Sequence, residues 1–171
     1  PMQHRTQTIQ KALENKLVVA RKENMRRLGN VEHRLEFVDE VNGVEFINDA
    51  KATDINSSWY SVDCMEKPVV WIAGSSHLET DLELFSELDA AKIKALIVMG
   101  NAQENVMRAF ENRIDLIGRV NTMNEAVAHA ILISNEGDAV LFSPACSDYE
   151  TFKHFKDAGQ QFRKAVRETR L

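Results

Sequence analysis

An acid, a lysine and a hydroxyl alternate in Asn48-Asp49-Ala50-Lys51-Ala52-Thr53, directly after an apolar, strand-like run. At a strand end, Asp49 can accept hydrogen bonds from a ribose or an amine, and Lys51 can meet a phosphate or carboxylate that Thr53 also touches. Asp49 and Thr53 can equally cap a following helix and leave Lys51 in solvent. A second string, Ser143-Pro144-Ala145-Cys146-Ser147, places small residues and free amides at a helix start, where an anion is attracted. His77, in Gly74-Ser75-Ser76-His77, has acid–base capability but no nucleophile with a matched partner beside it. His33, His129 and His154 show no metal-ligand spacing with one another, so no metal and no catalytic residue is assigned.

The elements that must hold these residues follow from hydrophobic period. Ile9, Leu13, Leu17 and Ala20 recur at three- and four-residue steps, which predicts a helix over residues 6–28 that Gly29-Asn30 stops. From Leu35 the period becomes two. Leu35 to Val41, Asn42-Gly43 and Val44 to Ile47 read as a hairpin, because Asn-Gly supplies the positive φ angles of a two-residue turn. Strands are then expected at 68–73, 93–99, 114–120 and 139–142, and helices at 81–90, 104–111, 123–134 and 149–170. Thr122 with Glu125, and Ser147 with Glu150, have the spacing of reciprocal helix caps. Strands apolar along their whole length, separated by amphipathic helices, imply a parallel sheet covered on both faces. The expected architecture is an open three-layer α/β domain over residues 31–171 with an antiparallel edge hairpin, preceded by a basic helical appendage over residues 1–30. In such sheets ligands sit beyond the carboxyl ends of the strands, which singles out the loops 48–54, 74–81 and 143–149.

Composition excludes several classes. The 171 residues suffice for one full core, and an apolar fraction of 44% with 27% charged residues is that of an ordered globular chain. The longest apolar runs are far too short to span a bilayer, and no export signal opens the chain, so a cytoplasmic protein with no membrane partner is expected. Two cysteines without pairing pattern are expected to be reduced thiols. Residues 1–30 carry seven Lys or Arg against two Glu, while the remainder carries 14 positive and 24 negative charges. No aromatic residue interleaves the basic ones as a base-stacking surface requires, so nucleic acid is not the expected partner.

Several ordered pieces share a resemblance: Glu32-His33-Arg34-Leu35-Glu36, Asn42-Gly43-Val44, Phe46 through Thr53, Leu141 through Cys146, Phe152-Lys153-His154-Phe155 and Gly159-Gln160-Gln161-Phe162. Over residues 31–171 the chain resembles the C-terminal domain of the Mur ligases, ATP-dependent amino-acid ligases of peptidoglycan precursor synthesis, with the D-glutamate-adding branch nearest in pattern. The resemblance implies a Rossmann-like, mostly parallel sheet. It also implies that Arg34, Asp49 and Lys51 face the nucleotide, that Thr53, Asp148, Tyr149 and Phe155 face the amino acid, and that ATP and Mg serve the complete enzyme. Catalysis in such ligases runs through an acyl phosphate and consists mainly of placement and charge stabilisation.

Departures from the family pattern matter equally. No Gly-x-x-Gly-Lys string, the type of the central domain's phosphate loop, occurs in the chain, so no cofactor and no ligation are expected of it alone. Leu78 stands where the family's lysine would meet a substrate carboxylate, and Asp148 stands where a neutral serine would be. Both changes disfavour an acidic amino acid, the first by removing an attraction and the second by adding repulsion. Two expectations follow: a degenerate, non-catalytic relative that binds a ligand or partner through the old cleft, or the amino-acid-binding domain of a complete ligase whose N-terminal and central domains are its partners.

Overall fold

The computed structural model describes residue 16 and residues 31–74, 90–100, 103–146 and 152–170. In chain order the elements are β1 (Glu36–Val41), β2 (Val44–Asn48), α1 (Ile55–Cys64), β3 (Val69–Gly74), a 3-10 turn (Ala90–Lys92), β4 (Ile93–Met99), α2 (Gln103–Phe110), β5 (Ile117–Val120), α3 (Met123–Ile133), β6 (Ala139–Phe142) and α4 (Phe155–Glu168). The six strands form one sheet in the order β1-β2-β6-β3-β4-β5. The β1–β2 pair is antiparallel and every other pairing is parallel. Asn42 (φ +51°) and Gly43 (φ +74°) make the hairpin turn as the Asn-Gly string predicts.

Each central strand alternates between two cores. Phe46, Ile72, Ile97 and Phe142 face one side, where Met123 and Val127 of α3 and Phe162 and Val166 of α4 cover them. Ile47, Trp71, Leu96 and Leu141 face the other, against Ile55 and Val62 of α1 and Phe110 of α2. Burial on both faces explains why these strands read as unbroken apolar runs. The expected class therefore holds.

Several boundaries shift for identifiable reasons. The strand expected from Ile114 begins at Ile117, because Ile114 is buried and its amide donates to Phe110 O at 3.0 Å, closing the turn that leaves α2. The last helix begins at Phe155 rather than Tyr149. Its cap is His154, whose Nδ1 accepts from Asp157 N at 3.2 Å, while Asp157 Oδ2 accepts from Lys153 N at 3.0 Å. α1 was not among the expected helices. Its inward face carries Ser58 and Ser61 beside Ile55 and Val62, so the apolar period is diluted by buried hydroxyls. Asp54, and neither Asp49 nor Thr53, caps α1, with Oδ1 accepting from Ser57 N at 2.8 Å. The Thr122 half of the expected cap forms, with its Oγ1 accepting from Glu125 N at 3.2 Å, while the Glu125 side chain reaches one residue further back, its Oε2 accepting from Asn121 N at 2.9 Å. Apart from Lys16, assigned to helix, the helix expected over 6–28 lies outside the described residues, as do the cap at Ser147 and Glu150 and the helix over 81–90 before Ala90. Among the described residues no helix is long and apolar enough to cross a membrane.

Candidate functional site

Strands β2, β6 and β3 are consecutive and parallel, so their carboxyl ends lie side by side. Asp49 follows β2, Ser143 follows β6 and Gly74 ends β3, which brings the two chemical strings into contact at the carboxyl end of the sheet. The Asp49 amide extends the ladder by donating to Phe142 O at 2.8 Å, and Ser143 N donates to Ile72 O at 3.1 Å. Ala145 N donates to Ala52 O at 3.0 Å, and Gly74 N donates to Pro144 O at 2.8 Å. A methyl group on Gly74 would collide with Cys146 Sγ, so glycine is what permits this approach. The amides of Ser143 and Ala145 are thus committed internally. They are not the free anion donors that the sequence suggested. Ala145 sits at φ +58°, a left-handed conformation that costs an alanine about 1–2 kcal/mol.

Asp49 is 2% exposed. Its Oδ1 accepts from Leu35 N at 3.2 Å and its Oδ2 from Ser143 Oγ at 2.8 Å. Ser143 Oγ also lies 2.8 Å or less from a second hydroxyl, Ser58 Oγ at 2.7 Å. A hydroxyl has one proton, so Ser58 donates to Ser143 while Ser143 donates to the carboxylate. Burial raises the Asp49 pKa to about 6, opposed by hydrogen bonds from Ser61, Ser143 and Leu35 N and by the Arg34 charge. Asp49 therefore works from behind the cleft rim, joining the turn before β1 to the β6 loop.

That turn carries one exposed cation, and the loop after β2 carries another against it. Arg34 lies between His33 (φ +62°) and Leu35 (φ +42°), and its amide donates to Val31 O at 3.1 Å. Lys51 is exposed, and its amide donates to His33 O at 2.9 Å. Thr53 is half-buried, with its amide on Lys51 O at 3.0 Å. Backbone strain of this kind persists only where surrounding structure enforces it, and it gathers at functional sites. The enforcing groups are buried. His33 is 2% exposed, donates its amide to Glu36 Oε2 at 3.0 Å and accepts at Nδ1 from Asn48 Nδ2 at 2.8 Å. With Nδ1 accepting, the neutral ring carries its proton on Nε2. Burial, followed by the Arg163 charge, lowers the His33 pKa, against the pull of Glu32 and Glu36. Phe155, at the start of α4, meets the His33 ring edge-on with centroids 6.2 Å apart.

Asp49, Lys51 and Phe155 thus each meet the turn that carries Arg34, and Thr53 joins them through Lys51, whereas Asp148 and Tyr149 lie outside the described residues. Sequence reasoning gave no role to His33, Glu36, Asn48, Ser58 or Ser143, the groups that brace the turn. The signal was present in part, since all but Ser58 belong to the quoted strings. Among the described residues no three His, Cys, Asp or Glu side chains come together as metal ligands.

Comparison with known proteins accords with this geometry. The family model described as "Mur ligase, glutamate ligase domain" matches residues 33–146. The chain is 40% identical over 146 residues to UDP-N-acetylmuramoylalanine--D-glutamate ligase of Christiangramia forsetii, covering 85% of this chain and 33% of that protein. With the same ligase of Porphyromonas gingivalis identity is 38% over 145 residues, covering 85% and 32%. Among solved structures, MurF ligase from Thermotoga maritima in complex with ADP superposes with a TM-score of 0.54 at 14% identity, covering 82% of this chain and 32% of that one. The chain spans about a third of the length of the curated relatives it matches. With the family model spanning the turn, the Asn48–Thr53 string and the Ser143–Cys146 string, the chain belongs to the Mur ligase family through its glutamate ligase domain.

Proposed function

We propose that this domain keeps the nucleotide-facing rim of a Mur ligase cleft and has given up its glutamate-facing end, so that the chain by itself ligates nothing and holds an anionic ligand or a partner in the old cleft. The observation that carries the reading is the pair of exposed cations, Arg34 on a strained turn braced by buried hydrogen bonds and Lys51 on the loop after β2 that is hydrogen-bonded to that turn. Exposed cations on a rigid frame suit the phosphates of a nucleotide. Asp49 acts on them indirectly, since both its oxygens already accept bonds from the protein. The ATP of the complete family enzymes would meet this rim at Arg34 and Lys51, with Thr53 and Phe155 towards the amino acid.

Loss at the other end rests on charge. Leucine at position 78 removes a charge-assisted hydrogen bond worth about 1.5–3 kcal/mol, and Asp148 adds a like charge. Glutamate affinity should then fall at least about tenfold, since about 1.4 kcal/mol is one decade. Titration calorimetry should show no D-glutamate binding to the chain, and Leu78→Lys with Asp148→Ser should restore it. Equal binding by parent and double variant would defeat the charge explanation.

A second reading, the amino-acid-binding domain of a working D-glutamate ligase, draws support from the 40% identity over a third of such an enzyme. It requires the parent chain to bind D-glutamate. It also requires activity when the central and N-terminal domains are supplied.

A further inference from the structure

We propose that Arg163, on the side of α4 that meets β1, is a positioning residue for the anion-facing rim, holding Arg34 in place through Glu36. This inference rests on the reading of the rim given above.

Arg163 grips Glu36 as a fork. Its Nη2 donates to Glu36 Oε1 at 2.7 Å and Oε2 at 2.9 Å, its Nε reaches Oε2 at 3.3 Å, and Nη2 also donates to Glu32 Oε1 at 3.0 Å. Glu36 Oε2 is the hub of the turn, since it accepts from His33 N and from Asn48 Nδ2, both at 3.0 Å. Asn48 Nδ2 in turn donates to His33 Nδ1. One guanidinium therefore fixes the carboxylate that fixes both the backbone and the ring of His33. Arg34 comes next in the chain, inside a pair of left-handed residues that L side chains seldom adopt unaided. Without Arg163 the half-buried Glu36 carboxylate loses its counter-ion and turns to water. The His33 amide and Asn48 then lose their acceptor, and the turn is free to relax to ordinary φ values. Arg34 remains in the chain but no longer points from a fixed frame. A lysine would keep the charge without the planar fork and should hold the turn only in part.

The test uses ADP as probe, titrated by calorimetry against the chain, Arg163→Met, Arg163→Lys, Arg34→Gln and Arg34→Gln with Arg163→Met. Lys164→Met, whose ammonium is exposed on the same helix, serves as control. Arg163→Met should weaken ADP about tenfold, a coupling of the size found within one hydrogen-bonded network. Arg163→Lys should fall between, and Lys164→Met should bind as the parent does. In the Arg34→Gln background, Arg163→Met should add nothing. Hydrogen exchange should meanwhile quicken at the His33 amide while the amides of α4 keep their protection. An equal loss in both backgrounds, an unchanged ADP affinity in Arg163→Met, or unchanged exchange at His33 would overturn the proposal. Should Arg163→Met fail to fold, Arg163→Lys carries the same comparison. A parent chain that binds no ADP would refute the reading of the rim, and exchange at His33 would still decide whether Arg163 governs the turn.

Discussion

Replacing Asp49 by asparagine should stabilise the fold at pH 7 by up to about 3 kcal/mol and abolish most of its pH dependence between pH 4 and 6. The Asp49 carboxyl is buried, and its pKa rises from 3.8 to about 6 on folding. Between those values the folded chain binds the proton more often than the unfolded chain. Stability linked to this group is therefore full below pH 4 and is lost as pH rises through about 6. Asparagine mimics the protonated acid, and the Ser58–Ser143 hydroxyl chain can reverse to accept from its amide. His33 contributes with the opposite sign, because its pKa is lowered on folding. Its share is present above its ordinary value of 6.5 and is lost as pH falls, so the difference between parent and Asp49→Asn isolates the carboxyl. Urea midpoints from pH 4 to 7 measure that difference. A constant gap across the range would show that Asp49 is not the buried acid described here.

Gly159→Ala should destabilise the chain by about 3 kcal/mol, towards the upper end of the range for overpacking a tight contact. A methyl group there would overlap His33 Nδ1, with His33 Cε1 at 2.7 Å and Ala50 Cβ at 3.1 Å. The ring cannot yield cheaply, because it is buried and Nδ1 accepts from Asn48. α4 must withdraw or the ring must abandon its bond. At about 2–4 °C per kcal/mol for a chain of this size, the melting temperature should fall by roughly 6–12 °C. A helix-favouring residue at this position would otherwise gain up to about 1 kcal/mol, so a rise in melting temperature would mean the contact is looser than it stands here.

The sheet and its central strands were legible because Val69–Gly74, Ile93–Met99 and Ala139–Phe142 are apolar on both faces, and only a parallel layer between helices buries both. The hairpin was legible because Asn42-Gly43 has a single strong conformational reading. α1 was hidden because Ser58 and Ser61 look like surface residues until Asp49 and Ser143 are folded against them. The start of α4 was misplaced because histidine at position 154 is not among the usual capping residues. Of the site, the residues facing outwards could be quoted from the strings, whereas the Arg163–Glu36 bridge joins positions that no local pattern relates. A buried bracing network is written in three dimensions and leaves no period in one.

The central place of β6 also governs how the molecule is made. Among the described residues it is the last strand, yet it lies between β2 and β3, the inner strands of the two portions of the sheet that precede it in the chain. Until it is inserted, the hairpin and the β3-β4-β5 ribbon each expose a bare backbone edge with no shared neighbour. Assembly must therefore wait for a distant segment, which makes closure slow and leaves adhesive edges open to other nascent chains in the interval. Weakening β6, as by placing a charge at the fully buried Val140, should therefore lower the yield of folded chain as well as the stability of what does fold.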